Sequence, residues 1–362
     1  MLPTRTDRAQ RPGFRVPSNV LGLVIVMALC NAYLVLTAHK GGKSREEWVA
    51  VERRKREVWA VYRGDSGGEE RWTSGGSPRT VVGAKRGQYT STSRETVGSQ
   101  FGELEAAGVD GILLQWMPPG RSDVSEGCLE VLFQEAEKHQ VCIGVIIQNY
   151  ENRTTETIVE DIREYVRKWG NHSRVLTRDG KPVVMVYDAQ NEYGVPLKLW
   201  KTGERVYLIA TGTKMGEFAE AIEWGFDSVT NYFVQRQFHL RDEEAQWGGL
   251  AQLTGSKGVE FFPAVGPGYN DTNLRSWNTG SVRGREGGSW YMQKWGEAIE
   301  LRVAAVIINS YNDFGEGTNI EASVPLNGLY DTDFIQLWGS RDPGFYMDLT
   351  QKQIGIFKGL DG

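Results

Sequence analysis

Two acidic side chains lie three positions apart near the end of the sequence, in the segment "YNDFGEGTNIE" at residues 311–321. Asp313 and Glu316 have the chemistry of an acid and base pair, because two neighbouring carboxyls do not ionise together easily and one of them then keeps its proton. The competing interpretation is structural, since an Asp that follows a strand often caps a turn through its side chain. Which of these two interpretations holds depends on the helices and strands that position this segment.

Eight short apolar runs alternate with amphipathic stretches after residue 57, a pattern typical of βα units with a parallel sheet. The runs cover residues 58–62, 111–116, 141–147, 182–188, 206–212, 228–233, 260–268 and 304–313. Ser93 can cap a helix that stops at Gly108, and residues 126–140 and 155–170 repeat the helical period. We therefore predict a single (β/α)8 TIM barrel over residues 58–362. A doubly wound open sheet is the alternative, but no Gly-rich phosphate loop follows the first strand.

Catalytic groups of such a barrel lie at the carboxyl ends of its strands. Polar and aromatic residues fall at those predicted ends, and they are Trp116, Gln148, Tyr150, Tyr187, Tyr232, Tyr269, Asp271, Asn312, Asp313 and Glu316. The acidic pair thus belongs to a larger predicted cleft.

Composition limits the class of protein. With 362 residues, 40% of them hydrophobic, the chain can build a sizeable core. A net charge of -5 argues against a nucleic-acid partner, because binding a polyanion needs a basic face. The three cysteines match no zinc pattern, and the four scattered histidines have no metal-ligand spacing, so we predict neither a metal nor a cofactor.

The N-terminal segment predicts a membrane anchor. Residues 16–39 contain no Lys, Arg, Asp or Glu and are long enough to cross a bilayer as a helix. Residues 1–15 carry four arginines and are expected to be a cytoplasmic tail, with residues 40–57 as a stem. A cleaved signal peptide is the alternative, and either one delivers the domain to the secretory lumen. The sequons at Asn152 and Asn171 are predicted glycosylation sites there.

The segments "FFPAVGPGYNDTNLRSWNTGSVRGREGGSWYMQKWGEAI" (261–299) and "INSYNDFGEGTNIEASVP" (308–325) resemble glycoside hydrolase family 99. Its members are endo-acting α-mannosidases that trim N-glycans in the Golgi, and the likeness extends over about residues 95–350. The resemblance implies a single (β/α)8 barrel, frequently held by a type II anchor, and hence a Golgi membrane location. It also implies an oligosaccharide or N-glycan substrate.

The resemblance implies particular roles. Asp313 would remove the proton of the sugar 2-hydroxyl, which attacks C1 to form an anhydrosugar, while Glu316 protonates the departing oxygen and later activates water. Substrate-binding roles would fall to Arg275, with its planar set of donors, and to the residues at the other strand ends. Those residues are Trp116, Gln148, Tyr150, Tyr232, Tyr269, Asp271 and Asn312, of which Asn312 would either bind a hydroxyl or orient the loop.

The departures from the family pattern concentrate at the chemistry. Asp313 and Gln148 each replace a Glu of the family, and Gly315 and Ile146 each replace a His. Two hypotheses follow: a retaining hydrolase acting on an α-mannoside, or a membrane-anchored glycan-binding protein on the same barrel. A metal- or cofactor-dependent enzyme is a third, which the lack of ligand clusters disfavours.

Overall fold

Helices and strands alternate along the chain in the computed structural model, which describes residues 55–64, 73–74, 77–78, 82–118, 124–189, 205–234, 247–279, 282–325, 338–340 and 342–359. The strands are β1 (Glu57–Arg63), β2 (Thr73–Ser74), β3 (Ser77–Pro78), β4 (Val82–Ala84), β5 (Gly111–Trp116), β6 (Cys142–Ile147), β7 (Thr177–Arg178), β8 (Lys181–Val186), β9 (Tyr207–Thr211), β10 (Ser228–Thr230), β11 (Glu260–Phe261), β12 (Ala264–Val265), β13 (Ala305–Ile308) and β14 (Ser323–Pro325). The helices are α1 (Arg94–Ala106), α2 (Val124–Ala136), α3 (Thr155–Trp169), α4 (Met215–Trp224), α5 (Trp247–Lys257), α6 (Ser289–Glu300) and α7 (Phe345–Lys358).

One curled parallel sheet dominates the fold. Its nine strands follow the order β11-β10-β9-β8-β6-β5-β1-β13-β12, and consecutive strands are joined mainly through helices. The two edge strands belong to one stretch of chain, residues 260–265. Within it, Phe262 N–H donates to Val229 O at 3.0 Å, and Pro263 O accepts from Ile307 N–H at 3.0 Å. The prediction of a parallel α/β sheet at the eight apolar runs is therefore confirmed, in a TIM-barrel-like arrangement.

The run predicted as one strand at residues 260–268 is divided into β11 and β12. Pro263 has no N–H to donate to a ladder, which explains why regular pairing stops there. Helix α1 begins after the predicted cap, because Ser93 Oγ accepts from Thr96 N–H at 3.3 Å. It is followed by Gly108 at a φ of +83°, a conformation that favours glycine.

Alternating side chains of the strands form two cores. Trp59 and Val61 of β1 and Leu113 of β5 pack inside the curled sheet. Their neighbours on the opposite face, such as Ile112 and Leu114, pack against the surrounding helices. Because side chains alternate along a strand, the position of each residue in these strands determines whether it faces the inner or the outer core.

An ion cluster lies at the amino ends of the strands. Arg178 donates to Glu57 at 2.6 Å and to Glu260 at 2.7 and 3.2 Å, and its side chain is 5% exposed. Tyr207 donates to the same Glu260 at 2.6 Å. The guanidinium thus ties β1 to β11, and the Tyr207 hydroxyl joins β9 to them, at the end of the sheet opposite the predicted cleft.

In the part of the chain that the structure describes, no helix is both long and apolar enough to cross a membrane. The anchor predicted at residues 16–39, the tail before it and most of the stem lie outside that part.

Candidate active site

The loop after β13 presents both acidic residues and is closed on itself. Ser310 N–H donates to Thr318 O at 3.0 Å, and the two hydroxyls of these residues are 2.7 Å apart. Ser310 Oγ also accepts from the N–H of Asp313 at 2.9 Å. Residues 310–318 therefore form a loop closed by hydrogen bonds, which holds Asp313 and Glu316 at the carboxyl end of the sheet.

A glycine fixes the far side of this loop. Gly317 has a φ of +61°, and a Cβ there would lie 3.2 Å from both the backbone N and O of Asn270. The close approach brings Asn270 N–H to 2.8 Å from Glu316 O. Arg285 also donates a hydrogen bond to Gly317 O at 2.9 Å. A side chain at position 317 would separate these segments.

Asp313 is buried and has two strong donors. Its Oδ1 accepts from the N–H of Glu316 at 3.0 Å, which is the turn-capping contact expected of an Asp after a strand. Arg63 Nη1, at the end of β1, lies 3.2 Å from Oδ1 and 3.3 Å from Oδ2. The carboxylate therefore combines the structural role with an ion pair.

Glu316 differs from Asp313 in its electrostatics. Burial, and then the charge of Asp313, raises the pKa of Glu316 to about 7, against the opposing effects of Arg275 and Arg63. Its side chain is 24% exposed, and its Oε1 lies 3.4 Å from Arg275 Nη1. Glu316 can thus hold a proton near neutral pH and still reach the cleft, as a general acid must.

Three tyrosines surround Glu316. Burial raises the pKa of each phenol, and in each the next cause is the charge of Glu316. The pKa of Tyr187 reaches about 12, and those of Tyr232 and Tyr269 are raised as well. Tyr232 has a φ of +37°, a strained backbone conformation for a bulky residue. These phenols stay protonated at neutral pH. Tyr187 and Tyr232 can donate hydrogen bonds towards a substrate, whereas the Tyr269 hydroxyl donates to Asp271.

Asp271 positions the side chain of Arg275. Asp271 is fully buried, and its Oδ2 accepts from Arg275 Nη1 at 2.8 Å, while Asn278 Nδ2 lies 3.0 Å from both carboxylate oxygens. Burial opposes ionisation, but hydrogen bonds from Arg275, Asn278 and Tyr269 lower the pKa of Asp271. Asp271 was predicted to bind substrate, yet its position makes it a support for Arg275.

Two predicted substrate-binding aromatics lie elsewhere. Trp116 is 2% exposed, belongs to the outer core, and its ring centroid is 5.8 Å from that of Tyr165 on α3. The Tyr150 hydroxyl bonds with Asp161 and with Thr157 of the same helix, at 3.0 Å for Thr157. Both expectations are corrected because these side chains face the helices and not the cleft.

Asn312 is also fully buried and binds backbone. Its Oδ1 accepts from Arg63 N–H at 2.7 Å, and its Nδ2 donates to Arg63 O at 3.1 Å. It orients the loop, one of the two roles that the resemblance allowed. Gln148 is half-buried, and among the described residues its buried Nε2 has no hydrogen-bond partner. Its role in substrate binding stays a prediction.

Sequence reasoning missed two residues of this site, Arg63 and Gln115. They are direct partners in the parallel register of β1 and β5. Gln115 Nε2 donates to the Tyr232 hydroxyl at 3.0 Å. Each is a polar residue at the carboxyl end of an apolar strand, and this was the available signal.

The predicted glycosylation sites Asn152 and Asn171 are both exposed. Among the described residues, no group of three or more His, Cys, Asp or Glu side chains is arranged to hold a metal ion. The chemistry that this site offers is that of carboxyls, phenols and guanidinium groups arranged around a cleft at the strand ends.

Two neighbouring carboxyls at the strand ends of a TIM-barrel-like sheet, one of them with a raised pKa, are an arrangement found in glycoside hydrolases. Residues 80–358 match the model of Glycosyl hydrolase family 99. Because this match covers more than half of the chain, the protein belongs to that family, and the resemblance inferred from the sequence is confirmed.

Relatives and solved structures agree with this assignment. The glycoprotein endo-alpha-1,2-mannosidase-like protein of Danio rerio is 27% identical over 288 residues, which are 74% of this chain and 64% of that protein. The glycoprotein endo-alpha-1,2-mannosidase of Mus musculus is 26% identical over 288 residues, 74% of this chain and 61% of that protein. The chain thus spans less than two thirds of the length of these relatives. The GH99 endo-alpha-mannosidase of Bacteroides thetaiotaomicron shares the fold, with a TM-score of 0.74 and 24% identity over 84% of this chain and 98% of that chain.

Proposed function

We propose that the protein is a glycoside hydrolase of the endo-α-mannosidase type, which cleaves an α-mannosidic linkage in an N-glycan or related oligosaccharide. The observation that carries the proposal is the site itself: a pair of carboxyls in one loop, of which Glu316 has a pKa raised to about 7. Family membership and the names of the relatives support the choice of substrate class.

In the proposed reaction, Asp313 accepts the proton of the sugar 2-hydroxyl while O2 attacks C1. The C1–oxygen bond breaks, and the departing oxygen takes the proton of Glu316. Glu316, now ionised, removes a proton from water, whose oxygen attacks C1 and opens the anhydrosugar. O2 recovers the proton from Asp313. Two displacements at C1 retain its configuration, and no covalent bond to the protein forms, unlike in the usual retaining enzymes.

The substrate would lie among the phenols of Tyr187, Tyr232 and Tyr269, with Arg275 as a donor to its hydroxyls. Trp277, two residues after Arg275, is 79% exposed. A ring so open to water suits the apolar face of a sugar, and we include it as an outer platform for the oligosaccharide.

The same proposal includes a closed (β/α)8 barrel, supported by the hydrogen bonds that join Phe262 to β10 and Pro263 to β13. It also includes a type II anchor at residues 16–39 and a lumenal Golgi location for the domain, for which the uncharged apolar run and the sequons are the support.

The test is incubation with glucosylated high-mannose oligosaccharides, with products resolved by mass spectrometry. We expect oligosaccharide release by the wild type, loss of turnover in Glu316→Gln, and normal turnover in the control Glu223→Gln, which alters an exposed residue of α4. The departures from the family pattern at Asp313, Gln148, Gly315 and Ile146 favour the alternative of a glycan-binding protein. Binding without turnover by both the wild type and Glu316→Gln would establish that alternative.

A further inference from the structure

Arg63 makes the most direct contact to Asp313 from outside the loop. One nitrogen, Nη1, spans both carboxylate oxygens at 3.2 and 3.3 Å, and the pair joins side chains that are 34% and 4% exposed. Charge-assisted contacts of this kind are stronger than neutral ones and favour the ionised carboxylate. The partner of Asp313 is therefore partly open to the cleft, while Asp313 itself is enclosed.

The backbone of Arg63 is held as firmly as its side chain. Asn312 accepts from Arg63 N–H at 2.7 Å and donates to Arg63 O at 3.1 Å. Asn312 Nδ2 also donates to the Tyr89 hydroxyl at 3.3 Å, which in turn donates to buried Glu321 at 2.6 Å. The end of β1 and the loop after β13 are thereby locked in register immediately before Asp313.

Gly315 leaves the space that the guanidinium needs. A Cβ at position 315 would lie 2.9 Å from Leu274 Cδ1, 3.4 Å from Asp313 Oδ1 and 3.7 Å from Arg63 Nη1. A longer side chain would extend from this crowded point and compete with Arg63 for access to Asp313. The glycine, the arginine and the short aspartate therefore fit together as one arrangement.

We propose that Arg63 is a positioning residue for the hydrolytic reaction: acting through Asp313, its guanidinium aims the carboxylate and offsets its negative charge beside Glu316. The inference rests on the proposed function for the role of Asp313, whereas the contact and its electrostatic effect do not. A base misplaced by about 1 Å loses rate steeply, so this aiming matters for turnover.

The electrostatic consequence is measurable at Glu316. The groups that act on it are Asp313, Arg275 and Arg63, and the surrounding phenols of Tyr187, Tyr232 and Tyr269 are affected by its charge in turn. Arg63 lowers the pKa of Glu316, opposing burial and the Asp313 charge. Removing the guanidinium would leave that charge uncompensated and raise the pKa of Glu316 above about 7.

The experiment compares the full-length wild type with Arg63→Met, Arg63→Lys and Arg283→Met. Arg283 is also 34% exposed but pairs with Glu286, at 3.4 Å, and is a matched control for loss of one arginine. The Glu316 carboxyl is titrated by carbon-13 NMR in glutamate-labelled protein, with its signal assigned from Glu316→Gln. Oligosaccharide hydrolysis is measured in parallel as a function of pH.

We expect the Glu316 titration and the alkaline limb of the hydrolysis profile to move to higher pH in Arg63→Met and to remain unchanged in Arg283→Met. Turnover in Arg63→Met should fall at least about tenfold with little change in KM, because the base is no longer aimed. Arg63→Lys, which keeps the charge, should restore the titration and part of the turnover.

An unchanged Glu316 titration in folded Arg63→Met overturns the inference, as does a titration in Arg63→Lys that moves as far as in Arg63→Met. If the wild type hydrolyses no glycan, the proposed function fails, but the NMR titration still decides the effect of Arg63 on the pair.

Discussion

Replacing Glu316 by Gln should stabilise the protein at pH 8 and leave its stability almost unchanged at pH 4. Burial and the Asp313 charge raise the pKa of Glu316 from its ordinary value of 4.5 to about 7. Below pH 4.5 the carboxyl is protonated in the folded and the unfolded chain alike. Between pH 4.5 and 7 the unfolded chain releases the proton first, so the folded state loses stability as the pH rises.

The size of the effect follows from the same pKa values. A change from 4.5 to about 7 corresponds to roughly 3 kcal/mol of unfolding free energy above pH 7. Because the side chain of Glu316 is 24% exposed, water screens part of this cost, and we expect a gain of about 2 kcal/mol in Glu316→Gln. In a domain of this size that is on the order of 4 °C in Tm.

The assay is thermal unfolding followed by circular dichroism at pH 4, 6 and 8, with Glu223→Gln as the exposed control. The gain in Glu316→Gln should grow from pH 4 to pH 8, while the control should show no such trend. An equal gain at every pH, or none at pH 8, would mean that Glu316 does not keep its proton to near neutral pH, and the assignment of the acid would be refuted.

Other variants test other parts of the structure. Asp313→Asn removes a charge that raises the pKa of Glu316, so the alkaline limb of the hydrolysis profile should move to lower pH, and the rate should fall about 100-fold or more with the loss of the base; an unmoved limb would contradict the coupling. Arg178→Met leaves two carboxylates without their shared cation and should cost about 3 kcal/mol in denaturant unfolding, with turnover per folded molecule unchanged; stability equal to wild type would count against the ion cluster. In protein from a secretory host, Asn152→Gln and Asn171→Gln should each remove one glycan-sized step in electrophoretic mobility, and a mobility identical to wild type in either variant would rule out that site.

The strands could be predicted because their sequence signal is local. Apolar runs such as residues 111–116 are bounded by polar or turn-forming residues, and β5 occupies those positions. The division of the run at residues 260–268 was visible in Pro263, but its consequence for pairing depends on which neighbours the strand meets. The types of neighbouring residues were enough to locate the helices and strands. They were not enough to predict which distant strands pair.

The acidic pair was likewise a local signal, since Asp313 and Glu316 lie in one loop. The contact between Arg63 and Asp313 joins residues 250 positions apart, and only the register of β1 with β13 brings them together. Asp271 is a different case, since its type suggested a ligand for sugar but its fully buried carboxylate accepts from Arg275 and Asn278, four and seven residues further along the chain.

The error at Trp116 and the omission of Gln115 have one cause, the parity of a strand. Both faces of a parallel strand are apolar, so hydrophobicity does not reveal which face is inside. The register of the strands shows which face is inside. Arg63 lies opposite Gln115, and Gln115 lies opposite Ile146, which belongs to the inner core. Trp116 is one residue out of phase and faces α3. A polar residue that interrupts an apolar strand at its carboxyl end is therefore a better guide to this cleft than the aromatic residue beside it. A polar side chain is tolerated inside the sheet only where the strand opens into the site, because burying it elsewhere costs free energy.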